Sequence, residues 1–141
     1  MSNEQNKDLT RRFVEEVLNT GNLDRMSEFL TPDFVEHAAR AGVPPTVEGV
    51  RMFFQGLRSA FPNFKYTVND AIADGDLIIQ RTTGQGTMTG EFAGMKPTGK
   101  SATWSELHTV RIKDGKIVEH WANVDQLSML MQLGLMQPPA A

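Results

Sequence analysis

Asp114-Gly115 sits between two runs of β-branched and apolar residues, Thr103–Lys113 and Lys116–Val124, and no other pair in the chain restricts its neighbours as strongly. An Asp-Gly pair in this setting is the strongest short-range hairpin signal, because both central residues of the tight turn need positive φ. The two runs are therefore expected to pair antiparallel. Side chains alternate across a strand, which puts Trp104, Glu106, His108, Val110 and Ile112 on one face of the first run. On the second, Ile117, Glu119, Trp121, Asn123 and Asp125 share a face, with Val118, His120, Ala122 and Val124 opposite. Neither strand has the clean apolar and polar alternation of a half-exposed sheet. Titratable groups interleaved with large apolar ones predict a lined pocket.

Upstream, Phe13, Val14, Val17 and Leu18 recur at helical spacing within Leu9–Leu18, and Gly21 follows as a stop. Asn22 opens a second short helix, Leu23–Leu30, which ends near Pro32 because proline disfavours helix in the residue before it. Phe34–His37 reads as a short strand, and Ala41–Pro45 as a loop. Thr46 then caps a third helix carrying Val50, Phe53, Phe54 and Leu57, closed by Phe61-Pro62. From Lys65 the pattern becomes β: Lys65–Ala73, a turn at Asp74-Gly75-Asp76, and Leu77–Thr83. Gly84, Gly86 and Gly90 interrupt the continuation through Phe92, as expected of a strand bent by bulges or glycine kinks. After the hairpin, Gln126–Leu133 forms a last helix, stopped by Gly134 and followed by Pro138-Pro139. Helices first and then a curved meander is an α+β pattern in which helices cover one side of a sheet.

The chain has 141 residues, enough for one domain that needs no staple. Its core is expected within about 8–136. Zero cysteines exclude thiol nucleophiles, thiolate metal sites and disulfides, and suit a reducing, cytoplasmic compartment. A net charge of -3, with 14 scattered basic residues, gives no electrostatic case for nucleic acid. The amino terminus lacks an apolar signal core, and no apolar run approaches the roughly 20 residues that span a bilayer. A soluble intracellular protein is expected.

Several ordered motifs resemble those of the SnoaL-like polyketide (ester) cyclases. They are Asp33-Phe34-Val35-Glu36-His37, Pro44-Pro45 with Glu48-Gly49-Val50, Phe61-Pro62, Thr82–Phe92 with Gly94 and Pro97-Thr98-Gly99, Trp104, and Arg111–Trp121 with Asp125. The resemblance covers roughly residues 8 to 136. It implies the nuclear-transport-factor-2-like (cystatin-like) fold, a cone-shaped α+β barrel whose strongly curved, mainly antiparallel sheet wraps around N-terminal helices and encloses a pocket. By the same resemblance the acid/base carboxylate falls on Asp125 and the pocket histidine on His108, and His37 matches a histidine after the first short strand. One departure stands out. Where many relatives read Gly-Thr-His, this chain reads Gly86-Thr87-Met88, which favours a more apolar ligand.

The reaction so implied is an intramolecular aldol closure without cofactor. A carboxylate whose pKa is raised by burial against apolar groups can take the proton, and Asp125 beside Val124 and Leu127 suits that role. Asp125 before Gln126-Leu127-Ser128 is equally a good helix cap. A neutral imidazole at His108 has a donor for a developing enolate oxygen. His120, opposite Asp125 on its strand, is expected to be structural or at the surface. Arg81 reaches into the pocket towards Glu106 or a substrate carboxyl, or snorkels at the rim. Trp104, Trp121, Phe53 and Met88 complete the expected wall. With no HxH or HxxxH spacing, no metal site is expected.

Two alternatives keep the fold and change the chemistry. A proton-shuttling isomerase would use Tyr66, the sole tyrosine, as its oxyanion donor. An epoxide hydrolase would need a second pocket aspartate beside Arg81 and Asp125. A third alternative is a non-catalytic module that binds small molecules. The expected partners are a small apolar carbonyl compound and a second copy of the chain in a homodimer.

Overall fold

A computed structural model describes residues 1–138. Helix α1, Asn3–Phe13, begins at a capping box in which Ser2 and Gln5 bond reciprocally, and it runs on into a π-helical turn, Val14–Leu18. It starts six residues earlier than the apolar spacing indicates. Its first turn is held by that cap and not by burial. Leu23–Glu28 is a 3-10 turn, and strand β1, Leu30–Glu36, follows at once. Pro32 therefore lies in a strand where a helix end was expected. It is tolerated because β1 is an edge strand paired only with the last strand of the sheet.

Helix α2, Val47–Ala60, is capped by Thr46 and buries Val50, Phe54, Leu57 and Ala60. Strands β2, Lys65–Asp74, β3, Leu77–Thr87, β4, Ser101–Lys113, and β5, Lys116–Val124, form the meander, and α3, Gln126–Gln132, ends it. The five strands lie in the order β1-β5-β4-β3-β2, antiparallel except for the β1–β5 pair. The sheet is strongly curved but does not close, so the expected barrel is an open one with β1 and β2 as its edges. No helix among the described residues is long and apolar enough to cross a membrane.

The Asp114-Gly115 turn has the anticipated geometry, with φ of 50° and 76°. Register along the hairpin departs from simple alternation, however. Lys113 faces Lys116 and Ile112 faces Ile117, but Arg111 faces Glu119. Val118 is the extra residue of a β-bulge, and a one-residue slip exchanges the two faces of a strand. Beyond the bulge, Glu119, Trp121 and Asn123 lie on the outer face with Arg111, Thr109 and Leu107, while His120 and Ala122 join Val110 and His108 on the inner face.

The inner face meets the helices in a single core that includes Phe54, Phe61, Phe64, Tyr66 and Trp104. Trp104 lies across β3, where its register partner is Gly84. A β-carbon there would come within 2.7–2.8 Å of three atoms of the indole. Overpacking of this kind costs about 1–3 kcal/mol. Gly84→Ala is therefore expected to lower the unfolding free energy measured in urea by that amount, and to cost less in a Trp104→Phe background, where the opposing ring is smaller.

Candidate functional site

Between the inner face of the sheet and α2 lies a cavity of about 350 Å³. Val50, Phe53, Phe54, Leu57, Phe92 and Met129 give it an apolar wall. The opposite wall is polar, because β4 and β5 bring His108 and His120 to the same face. Their rings stack at 5.0 Å, and His108 Nδ1 lies 2.8 Å from His120 Nε2. His108 Nε2 is 2.9 Å from Glu106 Oε1, and His120 Nδ1 is 2.7 Å from both oxygens of Glu36 at the end of β1. A carboxylate, two imidazoles and a second carboxylate thus form one continuous chain of hydrogen bonds.

Glu106 is 5 % exposed, and its charge is met from three directions. Tyr66 donates its hydroxyl to Oε1 at 2.9 Å, Trp104 donates its indole N–H to Oε2 at 2.6 Å, and His108 supplies the third contact. Burial pushes the Glu106 carboxyl up, but the hydrogen bond and charge of His108, together with the donors of Trp104 and Tyr66, outweigh it and hold the carboxyl below the ordinary glutamate value. Glu106 is therefore an ionised anchor that orients His108. Burial first, then the charge and hydrogen bond of Glu106, pushes the Tyr66 phenol well above its usual range, so Tyr66 remains a donor. At the mouth, Arg40 lies over the rings of Phe53 and Phe92, 5.3 and 5.1 Å from their centres. It is the only Lys or Arg among the described residues lining this cavity. A smaller recess of about 60 Å³ opens beyond the imidazole pair, lined in part by Gln80 and Thr82.

Of the residues singled out from the sequence, His108, Glu106, Trp104, Phe53 and Tyr66 come together on the wall. The others do not. Asp125 is exposed and caps α3, accepting from the Ser128 N–H at 3.1 Å, as the cap reading expects, and lacks the apolar burial that the base reading needs. Trp121 is on the outer face, stacked on His37 at 4.6 Å, and His37 in turn contacts Glu119 at 2.8 Å. The Val118 bulge is the reason for the outward positions of Trp121 and Asp125. Arg81 also points outward and pairs with Asp70 at 2.7 Å. Met88 is fully buried in the core and does not line the cavity. His120, expected to be structural or at the surface, lies at the heart of the chain. Glu36 and Arg40 were not anticipated at all; alternation along Phe34-Val35-Glu36-His37, which separates Glu36 from His37, is the signal that points to the former. Among the described residues no cluster of three or more His, Cys, Asp or Glu can hold a metal ion.

A profile of the SnoaL-like polyketide cyclase family matches residues 8–133. The chain is 30% identical over 140 residues to aklanonic acid methyl ester cyclase DnrD of Streptomyces peucetius, covering 90% of this chain and 89% of that one. Among solved structures, IdmH of Streptomyces antibioticus, described as a candidate polyketide cyclase, is 36% identical with a TM-score of 0.81, over 92% of this chain and 99% of that one. TsrD of Streptomyces laurentii, 23% identical, shares the fold with a TM-score of 0.87, over 96% of this chain and 99% of that one.

The depressed carboxyl of Glu106 has a consequence for stability. Its ionised form is favoured in the folded state, so the stability it contributes is present above about pH 4.5 and is lost as the pH falls through the lower folded value. Leaving a buried hydrogen-bond donor without its acceptor costs about 1–3 kcal/mol, and the amide of Gln cannot accept on both sides as the Glu106 carboxylate does from Tyr66 and Trp104. Glu106→Gln is expected to lose that much in urea unfolding at neutral pH, and the gap from wild type narrows on acidification below about pH 4.5.

Proposed function

The chain belongs to the SnoaL-like polyketide cyclase family, and from that premise we propose that it closes a ring on a small polyketide-like ester by cofactor-free, intramolecular aldol chemistry. The observation that carries this reading is the carboxylate–imidazole–imidazole–carboxylate chain set into the wall of an otherwise apolar cavity. Ring closure needs a proton taken from a carbon between carbonyls and a proton returned to the oxygen of the carbonyl attacked. Groups that trade protons at hydrogen-bond distance supply both, and positioned acid/base catalysis is worth about 10²–10⁴-fold. The apolar wall suits the carbon skeleton of such a substrate. Arg40, whose guanidinium has several N–H donors, suits its carbonyl oxygens. Asp125 then serves α3 as a cap.

The test is deuterium exchange at the α-carbon of β-ketoesters and aromatic polyketide mimics, followed by NMR. Wild type exchanges faster than buffer, His108→Gln falls by about 10²-fold or more, and Asp125→Asn retains the rate. Loss of exchange in folded Asp125→Asn would make the cap carboxylate the base. Absence of exchange in wild type, with binding of the same compounds, would favour a binding module.

We further infer that two copies pair through the outer sheet face, where Ile72, Ile79 and Leu107 are 66%, 41% and 49% exposed. Light scattering at micromolar concentration is expected to give twice the chain mass. A monomer mass would remove the claim.

A further inference from the structure

Every ring nitrogen in the imidazole pair is already engaged. His108 uses Nε2 for Glu106 and Nδ1 for His120, while His120 uses Nε2 for His108 and Nδ1 for Glu36. Each of the three gaps must hold one proton, since two facing lone pairs at these distances would repel. Whichever atom each proton sits on, two carboxylates and two imidazoles with three shared protons carry a net charge of −1. No imidazole nitrogen is left to meet a substrate unless the chain breaks.

The two carboxylates at the ends differ. Glu106 accepts from Tyr66, Trp104 and His108, and its side chain is only 4% exposed. Glu36 accepts from the His120 ring and, at Oε1, from the Ala38 N–H; its Oε2 shares the His120 proton and has no other donor among the described residues. A carboxylate has about four acceptor positions, so Glu36 keeps unused lone pairs. It lines both the 350 Å³ cavity and the recess behind the rings.

We propose that Glu36 is the catalytic base, the carboxylate that takes the substrate's α-proton, with His120, His108 and Glu106 behind it as a proton wire. This rests on the acid/base reading above and names its residue. Before reaction the wire holds three protons and a charge of −1. When Glu36 takes the α-proton the C–H electron pair becomes an enolate, and the wire holds four protons and no net charge. The enolate carbon then bonds to the second carbonyl carbon, whose π pair moves to oxygen. That alkoxide takes one proton from the wire, which returns to three protons and −1. No oxidant, reductant or outside proton is consumed.

The experiment compares wild type, Glu36→Gln and Glu36→Asp for α-deuterium exchange on a β-ketoester, with ring-nitrogen NMR of ¹⁵N-histidine-labelled protein. The amide oxygen of Gln can still accept from His120 Nδ1, so the histidine pair survives that change while the base does not. The expected result is a resonance of the proton shared by the two rings in both wild type and Glu36→Gln, with exchange at least about 100-fold slower in the latter. Glu36→Asp, which keeps the charge on a shorter arm, recovers part of the rate. Folded Glu36→Gln that exchanges as fast as wild type overturns the assignment and leaves the acid/base reading standing. Loss of the shared-proton resonance together with the rate makes Glu36 a positioning residue and also overturns it. A wild type that exchanges nothing overturns the acid/base reading and this assignment with it.

Discussion

A carboxylate ionised at 5% exposure, as Glu106 is, survives only where fixed donors replace the water it gave up. That requirement organises the wall of the cavity. Tyr66 must come from β2, Trp104 must fold back along β4 and over β3, and His108 must sit two residues on so that its ring reaches the same carboxylate. Gly84 is small because the indole needs its place. Once Glu106 is satisfied, the orientation of His108 follows, and with it the direction in which the second ring is bound. The aromatic packing around Phe54, Phe64 and Tyr66 keeps water from competing for those donors.

The division of labour between the sheet's faces rests on the single extra residue at Val118. Had the hairpin continued from Lys113–Lys116 without it, His108 would face Trp121 and the inner face would carry an indole where it now carries a second imidazole. The Asp-Gly turn is written in the sequence, and so is the strand that follows. The bulge is not, because β-branched residues such as Val118 suit a regular ladder and a bulge alike. The sequence therefore reveals the hairpin, the helices, and the grouping of Trp104, Glu106 and His108. It puts Trp121 on the wrong face, and it leaves Asp125 open between cap and base and His120 open between interior and surface, for one common reason, the displaced register.

Arg81 and His37 illustrate a different limit. Arg81 shares a strand face with apolar residues, which suggests burial, but that face is the outer one, and Asp70 on the neighbouring strand supplies a partner that only the register makes visible. His37 follows Glu36 directly, so alternation sends one inward and the other outward. Which goes inward is decided by the parallel pairing of β1 with β5, a contact between residues far apart in the chain. Local pattern constrains an element and its two faces. Only packing against the helices decides which face looks at the cavity.

Glu36 and His120 are separated by 84 positions, which gives the arrangement a meaning for how the molecule assembles. Contacts so distant in sequence form late, because their loop closure must be met before they are rewarded. The β4–β5 hairpin, with both imidazoles and Glu106 already on it, is local and forms without β1. Until the edge strand docks, the half-built chain ends on a ring nitrogen with no acceptor. Docking of β1 thus completes the sheet and the electrostatics of its wall in one step. A molecule with that strand detached carries a defect in its interior as well as a ragged edge, and this sharpens the energetic gap between the finished fold and its near misses.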